Sequence, residues 1–569
     1  MRFLLVLSLS AAALAADGVT TYIKVDQAGY RTDAPKVAMV AAKSPAADFT
    51  VRDAATGKVM FSGKLGPAVN EPDSGDRPQV ADFTKLTRSG SYFIEVPGVG
   101  RSWKFSIAPD VYARPFYLAM RAFYGQRCGT AVDLGPEFPG YSYPPCHLKG
   151  GWHESSGKTG PRESTKGWHD AGDYGRYVVN SGITTGTLLW AWELFGDRIK
   201  NVNLNIPESN NSTPDFLDEI RWNLEWMLTM QDTDGGVWQK QTTEKFSGFV
   251  MPDKDDQPSL VIGAGKPPYK SSCATADFAS VMAIAGRVYK PYDADFAGKA
   301  LGAARKAWAW VEQNPNVLFN NPPGVNTGAY GDSDCSDERL WAAAELWRTT
   351  REGGFEKYFL ANYAPFSKEL GEAGAPGEGW AHVGSMGLWT YVLGGGKDAG
   401  AVAAITKDSL TAADSIVARA KAHGYHIAMR TQDYVWGSNG VAANYAMQLM
   451  VTNAIRRNPA YVNTALDNLH YLLGRNTFSL SWVTRVGENP YRHPHHRPSG
   501  ADNNAEPWPG MLSGGPNKNR QDQMLQALPK DTPPARVYVD DQASYGSNEM
   551  AINWNAPLVF VLAGALPGK

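Results

Sequence analysis

Long helical patterns fill the chain from Tyr112 to its end, and they most limit the fold that this sequence can adopt. Apolar residues recur there at helical spacing, and long loops rich in Gly, Pro and Asp join the segments. No repeat of fixed short period is present. The pattern indicates a closed helical barrel, in which loops of such length are usually functional. The predicted helices are 113–124, 185–195, 215–231, 277–288, 297–312, 337–350, 407–423, 441–456, 461–473 and 551–563.

The residues before the helices have a different pattern. Segments 20–25, 49–52, 92–96 and 103–107 alternate with the period of a strand, and Gly and Pro turns separate them. The sequence therefore predicts an all-β sandwich at 17–108, followed by an all-α domain at 109–569.

The first residues are typical of a signal peptide. Residues 1–15 contain a positive start at Arg2, an apolar run and the small residues Ala13 and Ala15. We therefore expect a secreted or periplasmic protein. The formal net charge of −2 favours neither a nucleic-acid partner nor an anionic membrane surface.

Two aspartates, Asp170 and Asp173, stand just before a predicted helix. We expect them to lie in the turn that enters this helix, where its partial positive charge would keep both carboxylates ionised. Trp168, Tyr174 and Tyr177 flank them, a setting suited to activation of a water beside a sugar ring. The alternative is a pair of capping aspartates.

A third carboxyl group, Glu549, precedes the last predicted helix. It lies between Tyr545 and Trp554, with Asp540 and Asp541 nearby in sequence. Aromatic burial and like charges both raise the pKa of a carboxyl group, as a general acid requires. A plain glutamate in the first turn of a helix is the alternative.

Between the two acidic segments, residues 491–497 carry three histidines and two arginines, suited to a metal or to sugar hydroxyls.

These segments together resemble glycoside hydrolase family 9, which is largely cellulases and related β-glucanases. Asp170-Ala-Gly-Asp173 is similar to the paired-aspartate motif of the family, and Pro494-His-His-Arg497 to its His-x-Arg signature. Residues 24–40 resemble the immunoglobulin-like module that often precedes this catalytic domain. The C-terminal block matches the family pattern at Tyr538, Asp540, Tyr545, Glu549, Ala551, Asn555 and Ala556.

The resemblance implies an (α/α)6 barrel and hydrolysis of β-1,4-glucan with inversion. It implies Asp173 as the general base, Asp170 as a holder of the nucleophilic water and Glu549 as the general acid. Inversion needs one ionised and one protonated carboxyl group, separated by about 6.5–9.5 Å to admit a water. In the same way, His495 and Arg497 would bind the sugar and Asp540 would support the site.

Two aromatic residues are candidates for substrate binding. Trp436 is the expected stacking platform for a sugar ring, with a core tryptophan as the alternative, and Tyr545 is expected to bind substrate as well.

Cys128, Cys146 and His147 form a further cluster shortly before the paired aspartates. Two thiolates and imidazoles are a typical tetrahedral zinc set, and some family members carry structural zinc here. The expected fourth ligand is His169, with His153 as runner-up. The alternative is a Cys128–Cys146 disulfide, which would suit an exported protein.

The remaining expectations concern other ligands and the rival functions. Cys273 and Cys335 could pair, but their sequence positions do not decide it. The acidic stretches 215–219 and 332–337 could hold calcium, with a helix-start charge cluster as the alternative for the first. We expect no organic cofactor and a monomer. The rivals to an endoglucanase are an exo-acting enzyme on cellodextrins or glucosamine oligomers, a non-catalytic carbohydrate-binding protein and a zinc-dependent hydrolase.

Overall fold

A computed structural model describes residues 18–372 and 379–568, so the predicted signal peptide lies outside the described residues. The N-terminal part is a sandwich of two sheets around one apolar core. Strands β1, β3 and β6 form one sheet, and β2, β4, β5, β7, β8 and β9 form the other. The strands are β1 Ile23–Lys24, β2 Gly29–Tyr30, β3 Val37–Val40, β4 Asp48–Asp53, β5 Val59–Lys64, β6 Gln79–Asp82, β7 Gly90–Val96, β8 Gly100–Arg101 and β9 Phe105–Ile107.

The rest of the described chain is built on twelve helices of ten residues or more. Several begin at a side-chain cap, such as Ser271 before the fourth helix and Asp293 before the fifth. The twelve are α1 Ala113–Gly125, α2 Val178–Ile199, α3 Asp215–Thr229, α4 Ser272–Val288, α5 Ala294–Gln313, α6 Ser336–Thr350, α7 Gly353–Glu372, α8 Gly384–Leu393, α9 Ala399–Ala422, α10 Ser438–Ile455, α11 Pro459–Leu472 and α12 Ile552–Ala565.

The even-numbered helices form a closed inner ring. Each packs against the next, and α12 returns to α2, while the odd-numbered helices cover the ring from outside. The inner helices are buried on almost every side, as for α12, because an inner helix meets protein on all faces. The predicted barrel of paired helices and the predicted sandwich are both present.

Short strands and helices lie in the loops between the long helices. A five-stranded sheet pairs in the order β13-β12-β16-β15-β14, and β10 pairs with β11. These strands are β10 Val132–Asp133, β11 Ser142–Tyr143, β12 Lys149–Trp152, β13 Pro161–Glu163, β14 Arg176–Tyr177, β15 Lys240–Thr242 and β16 Ser259–Ile262. The short helices are Arg497–Ala501, Gln523–Gln526 and Tyr545–Asn548.

The sandwich contacts the barrel through buried polar groups. The backbone N–H of Gln27 donates to the carbonyl of Leu473, 2.8 Å away, and Asp26 lies 2.8 Å from the His470 ring. Among the described residues, no helix is long and apolar enough to cross a membrane.

Candidate functional site

A cleft of about 830 Å³ opens at one end of the barrel. Because each outer helix returns the chain, the inner helices all begin at this end, and the loops that precede them line the cleft. Five residues illustrate the arrangement, each shortly before an inner helix: Asp173, Tyr330, Trp380, Trp436 and Glu549. The barrel thus brings the paired aspartates and Glu549 into one cleft although they are far apart in sequence.

Asp170 is almost fully buried, and both of its carboxylate oxygens accept a hydrogen bond. Asn180 donates to Oδ1 and the Tyr330 hydroxyl to Oδ2, each at 2.6 Å. Burial raises the pKa of Asp170 to about 8, the charge of Asp173 adds to the rise, and the two donors oppose it. The prediction that a helix end keeps this group ionised is wrong, because burial outweighs it and α2 begins only at Val178.

Asp173 presents one oxygen to the protein and one to the cleft. Its Oδ2 accepts hydrogen bonds from the Gly175 N–H at 3.0 Å and the Tyr177 hydroxyl at 3.1 Å. Within the described residues, Oδ1 accepts none. This oxygen can therefore accept a proton from a water in the cleft.

At Gly172 the segment that carries Asp170 and Asp173 comes into close contact with the histidine segment, residues 495–497. Its carbonyl accepts from the Arg497 N–H at 3.1 Å, and a Cβ added at Gly172 would lie 1.9 Å from the His495 carbonyl oxygen. Only glycine leaves room for this approach, which sets the distance between the two segments.

Glu549 lines the same cleft. Burial raises the pKa of Glu549 well above its ordinary value, the negative charge of Asp173 raises it further, and Arg497 opposes the shift. The carboxyl group is therefore held protonated at a pH where an exposed glutamate would be ionised. This is the state that a proton donor requires.

The histidine segment lies beside these carboxyl groups. The His495 Nδ1 is 2.7 Å from the Gln542 carbonyl, and burial lowers the pKa of His495. Arg497 is buried, and its Nε donates to the Ser247 carbonyl at 2.9 Å, whereas its Nη1 has no partner among the described residues. Both residues line the cleft. Arg497 is thus placed to donate to a sugar hydroxyl.

Asp540 holds the loop behind the histidines. Its oxygens accept from the backbone N–H groups of Arg492 and His493 and from the Asn548 side chain, all at 2.9 Å. Asn548 immediately precedes Glu549. Asp540 therefore ties the histidine loop to the segment that carries Glu549.

The predicted aromatic residues divide between cleft and core. Trp436 is 39% exposed on the cleft wall, next to Tyr545, so it is not a core tryptophan. Trp168, in contrast, is fully buried and donates from its indole to Glu219 at 2.9 Å. The Tyr174 hydroxyl donates to the Val250 carbonyl, so of the three rings expected beside the aspartates only Tyr177 lines the cleft.

Sequence reasoning did not identify Tyr330, Asn180, Trp380 or Phe246. Tyr330 and Trp380 are aromatic residues shortly before inner helices, and this position is the one signal that would have found them. Asn180 and Phe246 carry no comparable signal.

The four predicted zinc ligands are brought together. Donor atoms of Cys128, Cys146, His147 and His169 all lie within 4.8 Å of one another, and His169 Nε2 is 3.7 Å from Cys146 Sγ. Tetrahedral zinc needs donors about 3.3–3.8 Å apart. Both cysteines are free, so the alternative disulfide is not formed.

The surroundings of this cluster also suit a metal. His147 Nε2 lies 3.3 Å from Asp255, while its buried Nδ1 has no hydrogen-bond partner among the described residues. A carboxylate behind a ligating histidine is the usual second contact in such sites. His153, the runner-up ligand, instead contacts Ser155.

The remaining two cysteines are bonded to each other, and two buried carboxyl groups lie in the helices that they join. Cys273 and Cys335 form a disulfide that joins the beginnings of α4 and α6. Asp277 and Glu338 are buried near Asp337, and within the described chain their carboxylate oxygens accept no hydrogen bond.

Two acidic side chains of the stretch 215–219 instead bind donor groups of the protein. Asp215 accepts from Leu204 N–H and the Ser209 hydroxyl, and Glu219 pairs with Arg127. These contacts account for Asp215 and Glu219 without calcium.

Comparison with known proteins gives matches over most of the chain. The model of glycosyl hydrolase family 9 matches residues 112–562, and that of the cellulase N-terminal ig-like domain matches 19–101. Endoglucanase D of Acetivibrio thermocellus is 40% identical over 95% of this chain and 83% of its own length. The cellodextrinase of Butyrivibrio fibrisolvens is 36% identical over 96% of this chain and 99% of its own.

Comparison with solved structures gives the same family. A zinc-binding triple mutant of the family 9 endoglucanase J30 is 34% identical, with a TM-score of 0.88 over 95% of this chain and 100% of that one.

Proposed function

This chain belongs to glycosyl hydrolase family 9 and is a glycoside hydrolase, and from its cleft we propose that it hydrolyses β-1,4-linked glucan with inversion at the anomeric carbon. One observation carries the proposal. Asp173 and Glu549 line the same cleft, and the charge of Asp173 helps to raise the pKa of Glu549. One group thus accepts a proton while the other donates one, as inversion requires.

In this mechanism Asp173 is the general base and Glu549 the general acid. A water beside Asp173 Oδ1 loses its proton to that oxygen as it attacks the anomeric carbon. Glu549 gives its proton to the leaving glycosidic oxygen. Asp170 shares the binding of this water, because each of its oxygens keeps a second lone pair beyond the bond that it already accepts.

The sugar chain would lie along the aromatic wall. Trp436, Tyr545, Trp380 and Phe246 line the cleft, and aromatic faces stack on the C–H faces of glucose. The unpartnered Nη1 of Arg497 and the ring of His495 would bind hydroxyl groups of the sugar next to the scissile bond.

Endo-acting cleavage of glucan is our first assignment, in line with the similarity to Endoglucanase D. Exo-acting cleavage of cellodextrins is the second candidate, because the similarity to the cellodextrinase covers nearly the whole of both chains. A non-catalytic carbohydrate-binding protein is set aside, since the chain is a glycoside hydrolase.

We also propose a structural zinc at Cys128, Cys146, His147 and His169. Four protein ligands fill the tetrahedral coordination of zinc and leave no position for substrate, so the metal would anchor the segment that carries Asp170. A zinc-dependent hydrolase is thereby disfavoured. Asp277 and Glu338, whose buried carboxylate oxygens accept no hydrogen bond within the described residues, are our candidates for calcium ligands beside the stretch 332–337, since calcium takes oxygen ligands.

Glu549→Gln tests the proposal, because it removes the proton donor and little else. We expect kcat on cellopentaose to fall by about 10²–10⁴-fold, while zinc content and thermal midpoint stay unchanged. The exposed Glu154→Gln is the matched control and should behave as the wild type. Unchanged turnover in Glu549→Gln would remove Glu549 from the acid role.

A further inference from the structure

Gln126 lies immediately after α1. It contacts three segments of the cleft: the aspartate segment (169–173), the histidine segment (495–497) and the acid segment (549–550). It is only 2% exposed. Its amide contacts residues on either side of Asp170, the histidine between His495 and Arg497, and the residue after Glu549.

The contacts with the aspartate segment fix the orientation of the amide. Gln126 Nε2 donates to the carbonyls of Ala171 at 2.7 Å and His169 at 3.2 Å. Two carbonyl acceptors require the nitrogen on this side, so Oε1 must face the other way. The backbone carbonyl of Gln126 also accepts from the His169 N–H at 2.7 Å.

The oxygen of the same amide holds the histidine segment. Oε1 lies 3.0 Å from His496 Nε2, which must carry the hydrogen because the oxygen can only accept. His496 Nδ1 is then an acceptor, and the Ser499 hydroxyl lies 2.9 Å from it. Burial lowers the pKa of His496 to about 3, which keeps this neutral tautomer in place.

The third contact is with the acid segment. The sulfur of Met550 lies 3.4 Å from Gln126 Nε2, and Met550 directly follows Glu549. A shift of this amide would therefore change the separation between the aspartate, histidine and acid segments together.

We infer that Gln126 is a positioning residue, whose single amide fixes the aspartate, histidine and acid segments relative to one another. This role rests on the proposed function, in which Asp173 and Glu549 act on one bond. Gln126 touches no substrate in this scheme and acts only through its neighbours.

Gln126→Leu keeps the approximate volume and removes every polar contact. We expect kcat on cellopentaose to fall by about tenfold or more, with KM changed by less than about twofold and zinc content retained. The control is Gln448→Leu, a glutamine equally buried in α10 whose amide has no hydrogen-bond partner within the described residues. Kinetics close to wild type in Gln126→Leu would overturn the inference, as would an equal loss in the control.

Gln126→Glu gives a readout that a purely structural role would not change. A protonated carboxyl group can donate to one carbonyl and accept from His496, whereas a carboxylate can only accept. In either protonation state at least one of the carbonyls of His169 and Ala171 loses its donor, so kcat should fall by about threefold or more with KM unchanged. A kcat equal to that of the wild type contradicts the role, also where Gln126→Leu fails to fold.

Glu549→Gln, measured in parallel, separates the two claims. Full turnover in that variant would refute the proposed function itself. Loss of turnover there, with a normal Gln126→Leu, would refute only the positioning role.

Discussion

Gly172→Ala should nearly abolish activity through a single methyl group. The φ of Gly172 lies outside the left-handed region, so the backbone accepts alanine, but the new Cβ would lie 1.9 Å from the His495 carbonyl oxygen. The two segments must therefore separate by about 1.5 Å or more, because ordinary contacts of a Cβ atom begin at 3.4 Å. A displacement of about 1 Å in a catalytic site can cost about 100-fold in rate, or about 2.7 kcal/mol of transition-state stabilisation.

The assay is kcat on cellopentaose, with the thermal midpoint measured on the same preparation. Gly302→Ala in the interior of α5 is the control, because nothing lies within 4 Å of the added Cβ. There alanine should leave kcat unchanged and stabilise the protein by up to about 1 kcal/mol. A kcat within about threefold of wild type in Gly172→Ala would refute the argument that this contact sets the site.

Three further predictions concern pH, the disulfide and the metal. Because Glu549 acts protonated and its pKa is raised, kcat/KM should persist above the usual glutamate range and fall as pH rises through that pKa; a pH profile without an alkaline fall contradicts this. Replacing Cys273 and Cys335 by Ala should lower the free energy of unfolding by up to about 4 kcal/mol for a sequence separation of 62, and an unchanged urea midpoint contradicts it. Purified protein should contain about one zinc per chain, and Cys128→Ala should lose it together with thermal stability; metal analysis that finds no zinc contradicts the site.

The order of the elements could be predicted from the sequence because most strands and helices repeat with a clear period. Helix starts were predicted late, most of all that of α2 and that of α9, which begins at Ala399 rather than at 407. The start of α2 was predicted at 185 but lies at Val178, because residues buried on all sides leave no polar face to mark the period. Two helices were missed: α8 is a short apolar run, and α7 contains Pro365 within the helix.

The carboxyl groups of the site could be identified because they occur in compact motifs. Their electrostatics could not, since the raised pKa of Asp170 depends on how deeply the fold buries it. Tyr330 contacts Asp170 across 160 residues and Gln126 contacts His496 across 370. Such contacts exist only once the barrel has closed.

The most direct test of the central claim is the anomer first released from cellopentaose, followed by NMR from the start of the reaction. With Asp173 activating water and Glu549 protonating the leaving oxygen, the new reducing end must appear initially as the α-anomer. Product sizes in the same experiment separate endo from exo cleavage. An initial β-anomer would mean retention and would contradict the proposed roles of both carboxyl groups.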